Sequence, residues 1–197
     1  MNQGAKRGAL RERRDDLYET PACAIRTLMR VEHLPRVIWE PCAGRGAISR
    51  ELISAGHAVH AADLVAHANA DTGIHSGIDF LMEFKAPPGC KTIVTNPPFK
   101  NGDAFIRHGI SLGCDIIVLL RLMAIEGANR SDLVDGHLVR VWAGVERLPM
   151  MHREGWVGAR LGNSGAPFAW FVFSATKKAP GVPIELRRMS WREGAAA

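Results

Sequence analysis

The stretch Arg36-Val37-Ile38-Trp39-Glu40-Pro41-Cys42-Ala43-Gly44-Arg45-Gly46 sets the fold class of this chain. Arg36 to Trp39 forms a short apolar run of the kind that builds a buried strand. Gly44 and Gly46 permit backbone conformations and a close ligand approach that a Cβ would block. Ala47 to Ala55 then follows with helical amphipathicity. A second apolar run, His57 to Ala62, ends in Asp63, about 20 residues beyond the glycines, the spacing at which an acid on the next strand reaches a ribose. Glycine turn and acid together imply an adenosine-containing ligand.

The kind of adenosine ligand follows from what the turn lacks. A dinucleotide fingerprint needs G-x-G-x-x-G, whereas the third glycine position here is Ser49, and Glu40 ends the strand where it would repel phosphates. A carboxylate at that place suits a ligand carrying an ammonium group, as S-adenosylmethionine does in its methionine portion. An ordinary strand-to-helix turn explains Gly44-Arg45-Gly46 alone, but not the ordered set Glu40, Asp63 and Asn96.

Downstream, Thr95-Asn96-Pro97-Pro98-Phe99 follows the apolar Thr92-Ile93-Val94, where a buried strand opens into a pocket. Asn96 offers a side-chain carbonyl oxygen. The two prolines hold the backbone extended and carry no amide hydrogen, so neighbouring carbonyls can point at a ligand. Phe99 adds a flat apolar face. Such groups accept hydrogen bonds from a planar amino group while a ring stacks on the heterocycle bearing it, as methylation of an exocyclic amine requires. A proline turn closing a strand is the plain alternative for Asn-Pro-Pro by itself.

Glu40 to Gly46, Asp63, Gly77-Ile78-Asp79-Phe80 and Asn96 to Phe99 resemble, in this order, the motifs of class I S-adenosylmethionine-dependent methyltransferases. The likeness is to the amino-methylating branch that includes adenine DNA methyltransferases, and it runs from Tyr18 to Ser174. Tyr18-Glu19-Thr20-Pro21 resembles the Thr-Pro segment that lies against the methionine end of the cofactor in many such enzymes. The resemblance implies that Glu40, Pro41, Cys42, Gly44 and Gly46 hold the methionine and ribose region, with Tyr18, Thr20 and Pro21 beside them. It gives Asp63 the ribose hydroxyls, and Asp79 and Phe80 the adenine of the cofactor. Asn96, which also borders the cofactor, would orient the target amine with Pro97 and Pro98, and Phe99 would stack on the target ring. The family usually has Tyr where this chain has Phe99, so stacking survives and a hydroxyl contact does not.

The motif order resembles small prophage-encoded or bacterial solitary enzymes more than two-domain restriction-modification enzymes. The reaction implied is direct in-line methyl transfer to the exocyclic amino nitrogen of adenine in DNA. RNA adenine methyltransferases and protein glutamine methyltransferases share the Asn-Pro-Pro-aromatic motif, and a catalytically inactive nucleic-acid-binding regulator is a further alternative.

With 197 residues, 47% of them hydrophobic, the chain suits one α/β domain with a real core. The strand-helix alternation predicts a Rossmann-like fold: a mostly parallel central sheet, helices on both faces, and a C-terminal antiparallel hairpin from Leu138–Val145 and Ala169–Ser174. Helices are expected over Ala22–Glu32 and Asp103–Leu112. Cys114–Leu122 is expected as a central strand buried on both sides. The domain is expected over 16–176, flanked by a mobile basic segment 1–15 and a basic tail 177–197. The four cysteines, Cys23, Cys42, Cys90 and Cys114, are scattered and predict buried thiols. The eight histidines have no metal-ligand spacing, so no metal is expected. No run of about 18 apolar residues and no signal segment is present, which predicts a cytoplasmic protein without membrane contact.

The net charge of +5, with basic clusters near both ends, points to a nucleic-acid partner, most readily DNA; solvated termini explain the same charges. The long connection 147–167 carries Arg147, Arg153, Trp156 and Arg160 as nucleic-acid-binding candidates. Arg121 and Glu126, just after the central strand, fit the pocket mouth or, by preference, an internal ion pair.

Overall fold

The computed structural model describes residues 17–149, 152–153 and 165–194. In chain order its elements are β1 (Tyr18–Glu19), α1 (Ala22–Val31), β2 (Val37–Glu40), α2 (Ala47–Ser54), β3 (Ala58–Asp63), β4 (His75–Ser76), β5 (Thr92–Thr95) and α3 (Gly102–Ser111). They continue with β6 (Asp115–Arg121), α4 (Ser131–Gly136), β7 (Leu138–Gly144), β8 (His152–Arg153), β9 (Phe168–Phe173) and β10 (Glu185–Met189). Eight strands form one sheet in the order β10-β7-β9-β6-β5-β2-β3-β4. Only β9 runs antiparallel to its neighbours, β6 and β7; the other pairs are parallel. The mostly parallel α/β sheet and the antiparallel β7/β9 pair are therefore both present.

Alternation along the strands divides the core into two layers, one on each face of the sheet. Ile38, Val94, Ile117, Leu119 and Trp170 face α1 and α2, where Ile25, Leu28, Ile48 and Leu52 meet them. Trp39, Ile93, Ile116, Val118 and Phe171 face the other way, against Phe105 and Ile106 of α3. All five residues from Ile116 to Leu120 are buried, as a strand in the middle of a covered parallel sheet requires. Gly109 lets α3 approach: a Cβ there would collide with the Ile116 side chain.

Between β2 and β5 the strand order reverses, because β3 and β4 lie on one side of β2 while β6 lies beyond β5. In open α/β sheets such a switch point leaves a crevice at the carboxyl ends of the strands, where ligands bind. Glu40 ends β2 and Asn96 follows β5, so both motifs open onto this crevice.

The basic tail expected after residue 176 is a correction, because much of it belongs to the fold. Glu185–Met189 adds a parallel edge strand to β7, and a following 3-10 turn, Trp191–Gly194, inserts Trp191 into the core with 1% exposure. The indole packs against Gly144, where a Cβ would collide with it, and a Cβ on Gly194 would meet the Cys23 carbonyl. The first four residues of β10 are exposed, so the strand has the polar composition of a solvated tail while its backbone pairs with the sheet. Its charges are partly used within the fold. Glu185 pairs with Arg187 at 2.6 Å and with Arg140 at 3.1 Å, and Arg140 reaches Glu32 at 2.8 Å. The Arg187 guanidinium also lies 5.4 Å from the Trp142 ring centroid.

Trp191→Ala should destabilise the protein by about 3 to 5 kcal/mol, the usual cost of emptying a buried tryptophan site, seen as a lowered midpoint in urea unfolding. A midpoint equal to wild type would return this segment to the role of a tail.

Candidate active site

The crevice is a cavity of about 400 Å³ bounded by five segments: Leu17–Thr20, the turn after β2, the residues following β3, Ile78–Leu81, and the loop after β5. Its size is that of a small-molecule site.

Asp63 organises the glycine turn. The Gly44 N–H donates to Asp63 Oδ2 at 2.7 Å and the Val65 N–H to Oδ1 at 2.8 Å, while His67 Nε2 stands 3.4 Å from Oδ1. Gly44 adopts φ +56°, and a Cβ on it would come within 2.6 Å of Leu17 Cδ1. Glycine is thus required both for the left-handed turn and for the approach of the segment from Leu17. Gly46, at φ +90°, faces away from the cavity, where a Cβ would lie 2.6 Å from Asp71 Oδ2. It accommodates the carboxylate that Arg50 holds at 3.0 Å, and it is not on the cavity wall.

Glu40 is 1% exposed, lines the cavity, and accepts a hydrogen bond from the Ser49 hydroxyl. Burial pushes its carboxyl up to about 8, against the opposing pull of the Ser49 hydrogen bond. Ser49, which replaces the third glycine of a dinucleotide fingerprint, therefore serves to hold this acid in place. Pro41 and Cys42 also line the cavity. Burial, with the Asp63 charge nearby, pushes the Cys42 thiol well above its ordinary value, so it is a neutral wall group. Arg45 Nη1 lies 3.5 Å from Glu19 Oε1, linking the turn to β1.

At the other end of the cavity Asp79 caps the 3-10 turn Phe80–Met82 by accepting from the Leu81 N–H at 3.0 Å. Phe80 is a wall residue that is also core, 2% exposed and held edge-on by Trp39 and His108 with ring centroids 5.0 and 4.9 Å away.

Asn96 is fixed from behind. Its Nδ2 donates to the Tyr18 carbonyl at 3.3 Å and to Thr20 Oγ1 at 3.2 Å, which turns Oδ1 the other way. That oxygen is buried and has no hydrogen-bond partner among the described residues. Buried polar atoms are rarely left so, and an orphan acceptor on a cavity wall calls for a donor from a ligand. Pro98 lines the cavity with Asn96, and its carbonyl accepts the Asn101 N–H at 3.0 Å; Pro97 is buried and off the wall. Pro21 likewise stands off the wall, as the N-cap of α1.

Phe99 lies beyond Asn96 and outside the cavity, its ring 5.2 Å from Tyr18 and 6.1 Å from Phe168. Arg121 corrects an expectation. Rather than pairing with Glu126, it sets its guanidinium 5.0 Å from the Phe99 centroid, while Arg130 pairs with Asp103 at 2.8 Å. Of the expected nucleic-acid contacts, Arg147 is exposed and Arg153 lies in β8, which pairs antiparallel with β1 through Tyr18↔Arg153 and Glu19↔His152. Trp156 and Arg160 lie outside the described residues.

Sequence reasoning missed Leu64, Val65, His67, Lys100 and Asn101 as wall residues. The signal was adjacency, since they directly follow the Asp63 and Phe99 motifs. Among the described residues no group of three or more His, Cys, Asp or Glu side chains could hold a metal ion, and no helix is long and apolar enough to cross a membrane.

No protein-family model matches the sequence and no curated protein matches it, so the likenesses are structural. A candidate class I S-adenosylmethionine-dependent methyltransferase of Listeria monocytogenes superposes with a TM-score of 0.53 at 13% identity, over 85% of this chain and 62% of its own. A candidate RNA methyltransferase of Pyrococcus horikoshii gives 0.55 at 14% identity, over 81% of this chain and 88% of its own. The methyltransferase subunit of a type I restriction-modification system of Streptococcus thermophilus gives 0.54 at 11% identity, over 80% of this chain and 44% of its own. This chain thus spans less than two thirds of the Listeria and Streptococcus chains, and all that it shares with the three is architecture. The protein has the Rossmann-like fold of the class I S-adenosylmethionine-dependent methyltransferases.

Proposed function

We propose that the cavity binds S-adenosylmethionine and that the protein methylates the exocyclic amino nitrogen of adenine in DNA. The observation that carries this reading is the buried Oδ1 of Asn96, without a partner among the described residues and aimed by the hydrogen bonds of its own Nδ2.

The wall groups fit the cofactor. Glu40, at the end of β2, would meet the cofactor's ammonium; Asp63, at the end of β3, would face its ribose; and Ile78, Phe80 and Leu81 would supply an apolar wall for its adenine, with Asp79 beside them. When bound, the cofactor supplies a methyl group activated by a sulfonium. The chain's part is positioning. An aromatic amine is a poor nucleophile because its lone pair is delocalised into the ring. Accepting an N–H bond at Asn96 Oδ1 favours a lone pair directed at the methyl group, with no covalent enzyme intermediate; the Pro97 carbonyl, expected as a second acceptor, belongs to a residue off the cavity wall. Phe99 stacks on a base drawn out of its helix, recovering about 1 to 3 kcal/mol of the unstacking cost.

The net charge of +5 supports a polyanionic acceptor. Structural neighbours named as a subunit of a restriction-modification system and as an RNA methyltransferase support nucleic acid over a protein amide. RNA is the second reading, favoured by the coverage of 88% of the Pyrococcus chain.

Transfer of tritiated methyl into unmethylated DNA, with equal masses of RNA in competition and digestion to nucleosides, should label methyladenine from DNA. Label only in RNA nucleosides moves the acceptor, and no label in either, with cofactor bound, removes nucleic acid methylation.

Asn96→Ala should lower single-turnover transfer by about 100-fold or more, the scale of losing one buried polar contact to a transition state, while S-adenosylhomocysteine affinity stays within a few-fold. An undiminished rate would contradict the role given to Oδ1.

Glu40 makes binding pH-dependent. In the ligand-free protein the carboxyl is protonated below about 8, and an ammonium beside it favours the ionised form. Binding near pH 7 should therefore release a proton, with affinity rising toward pH 8 and then levelling. Calorimetry in buffers of different ionisation enthalpy reads the proton directly. Glu40→Gln should remove that proton release and weaken binding; release undiminished in the variant would assign it elsewhere.

A further inference from the structure

The acceptor side holds an arginine that methyl transfer itself does not use. Arg121 ends β6 opposite Phe168 in the ladder, is exposed, and lays its guanidinium 5.0 Å from the Phe99 centroid. Resting on the reading of adenine as acceptor, we propose that Arg121 is a stand-in for the target base. With no acceptor bound it occupies the stacking place on Phe99, and the incoming adenine displaces it onto the nucleic-acid backbone.

Three observations support this. A guanidinium is planar and delocalised, the one side chain besides an aromatic that stacks on a ring as a base does. Tyr18 and Phe168 hold the Phe99 ring at tilts of 44° and 43°, bracing it from within the fold, whereas Arg121 comes to it from an exposed position. Arg130 pairs with Asp103 and Arg107 with Asp132, but Arg121 has no carboxylate partner among the described residues. Among the described residues the ring is its one side-chain contact, and a single exposed cation–π contact is weak enough for a stacking base to replace. The displaced guanidinium keeps its charge and its fork of donors beside a nucleotide whose phosphates are the nearest anions, and bidentate phosphate contact follows.

The test uses the full chain saturated with S-adenosylhomocysteine, which fills the cofactor cavity and reports that each variant is folded. Adenosine and a single-stranded 12-mer with one adenine are the probes. Arg121→Ala should bind adenosine about two- to five-fold more tightly, the worth of an exposed cation–π contact. It should bind the oligonucleotide more weakly, with a log–log salt slope smaller by about 0.7, one phosphate contact on a single strand. Arg121→Gln, planar but uncharged, should lose the same slope with less gain for adenosine, and Phe99→Ala should abolish the gain made by Arg121→Ala. Adenosine affinity unchanged or lowered in Arg121→Ala, in a protein that methylates nucleic acid, overturns the stand-in and leaves a packing contact. If wild type binds neither probe while holding S-adenosylhomocysteine, the adenine acceptor reading is overturned and the stand-in falls with it.

Discussion

The hydrogen bond from the Gly44 N–H to the Asp63 carboxylate is the contact on which the site depends. It joins the loop leaving β2 to the end of β3, and the same carboxylate holds the chain onward through the Val65 N–H. Charge-assisted bonds of this kind contribute about 1.5 to 3 kcal/mol each. Their larger effect here is geometric. With the turn pinned, Glu40 stays in the wall behind it, Ala43 donates to the Ala62 carbonyl at 2.9 Å, and α2 starts at Gly46 with its axis set. A residue that resembles a ribose ligand in the sequence is thus, first, the fastening of the loop that shapes the cavity.

Much of the fold is legible in the sequence because strand burial and helix amphipathicity are local properties. Ile116-Ile117-Val118-Leu119-Leu120 announces a doubly covered strand, and the glycine turn between an apolar run and an amphipathic one announces the crevice. β10 escapes because pairing at a sheet edge asks nothing of side chains that point to water. Its exposed Glu185-Leu186-Arg187-Arg188 differs little from a disordered tail, and its anchor, Trp191, lies beyond it.

The site divides along the same line. Glu40, Asp63 and Asn96 are readable because they stand where apolar runs end, and Asp79 through the resemblance of Gly77-Ile78-Asp79-Phe80 to a family motif. Gly46 is read as a ligand contact because its conformational freedom is visible, while its actual neighbour, Asp71, is fixed only by a loop of irregular structure. Arg121 is read as an ion-pair partner since Glu126 follows closely in the chain; the packing of β6 beside the loop from β5 instead brings Phe99 within reach. Long-range neighbours of this sort have no local signature.

The two-residue ladder between β1 and β8 connects regions far apart in the chain. Tyr18 and Glu19 lie on the cavity wall, and Tyr18 and Thr20 also position Asn96, whereas His152 and Arg153 belong to the connection between β7 and β9. Whatever steadies one strand of so short a ladder steadies the other, since neither has a second sheet neighbour among the described residues. The cavity wall and this connection share one pairing, so a substitution that breaks it from either strand acts on both. Four residues of backbone pairing thereby tie the wall of the cavity to a stretch of chain more than a hundred residues further on.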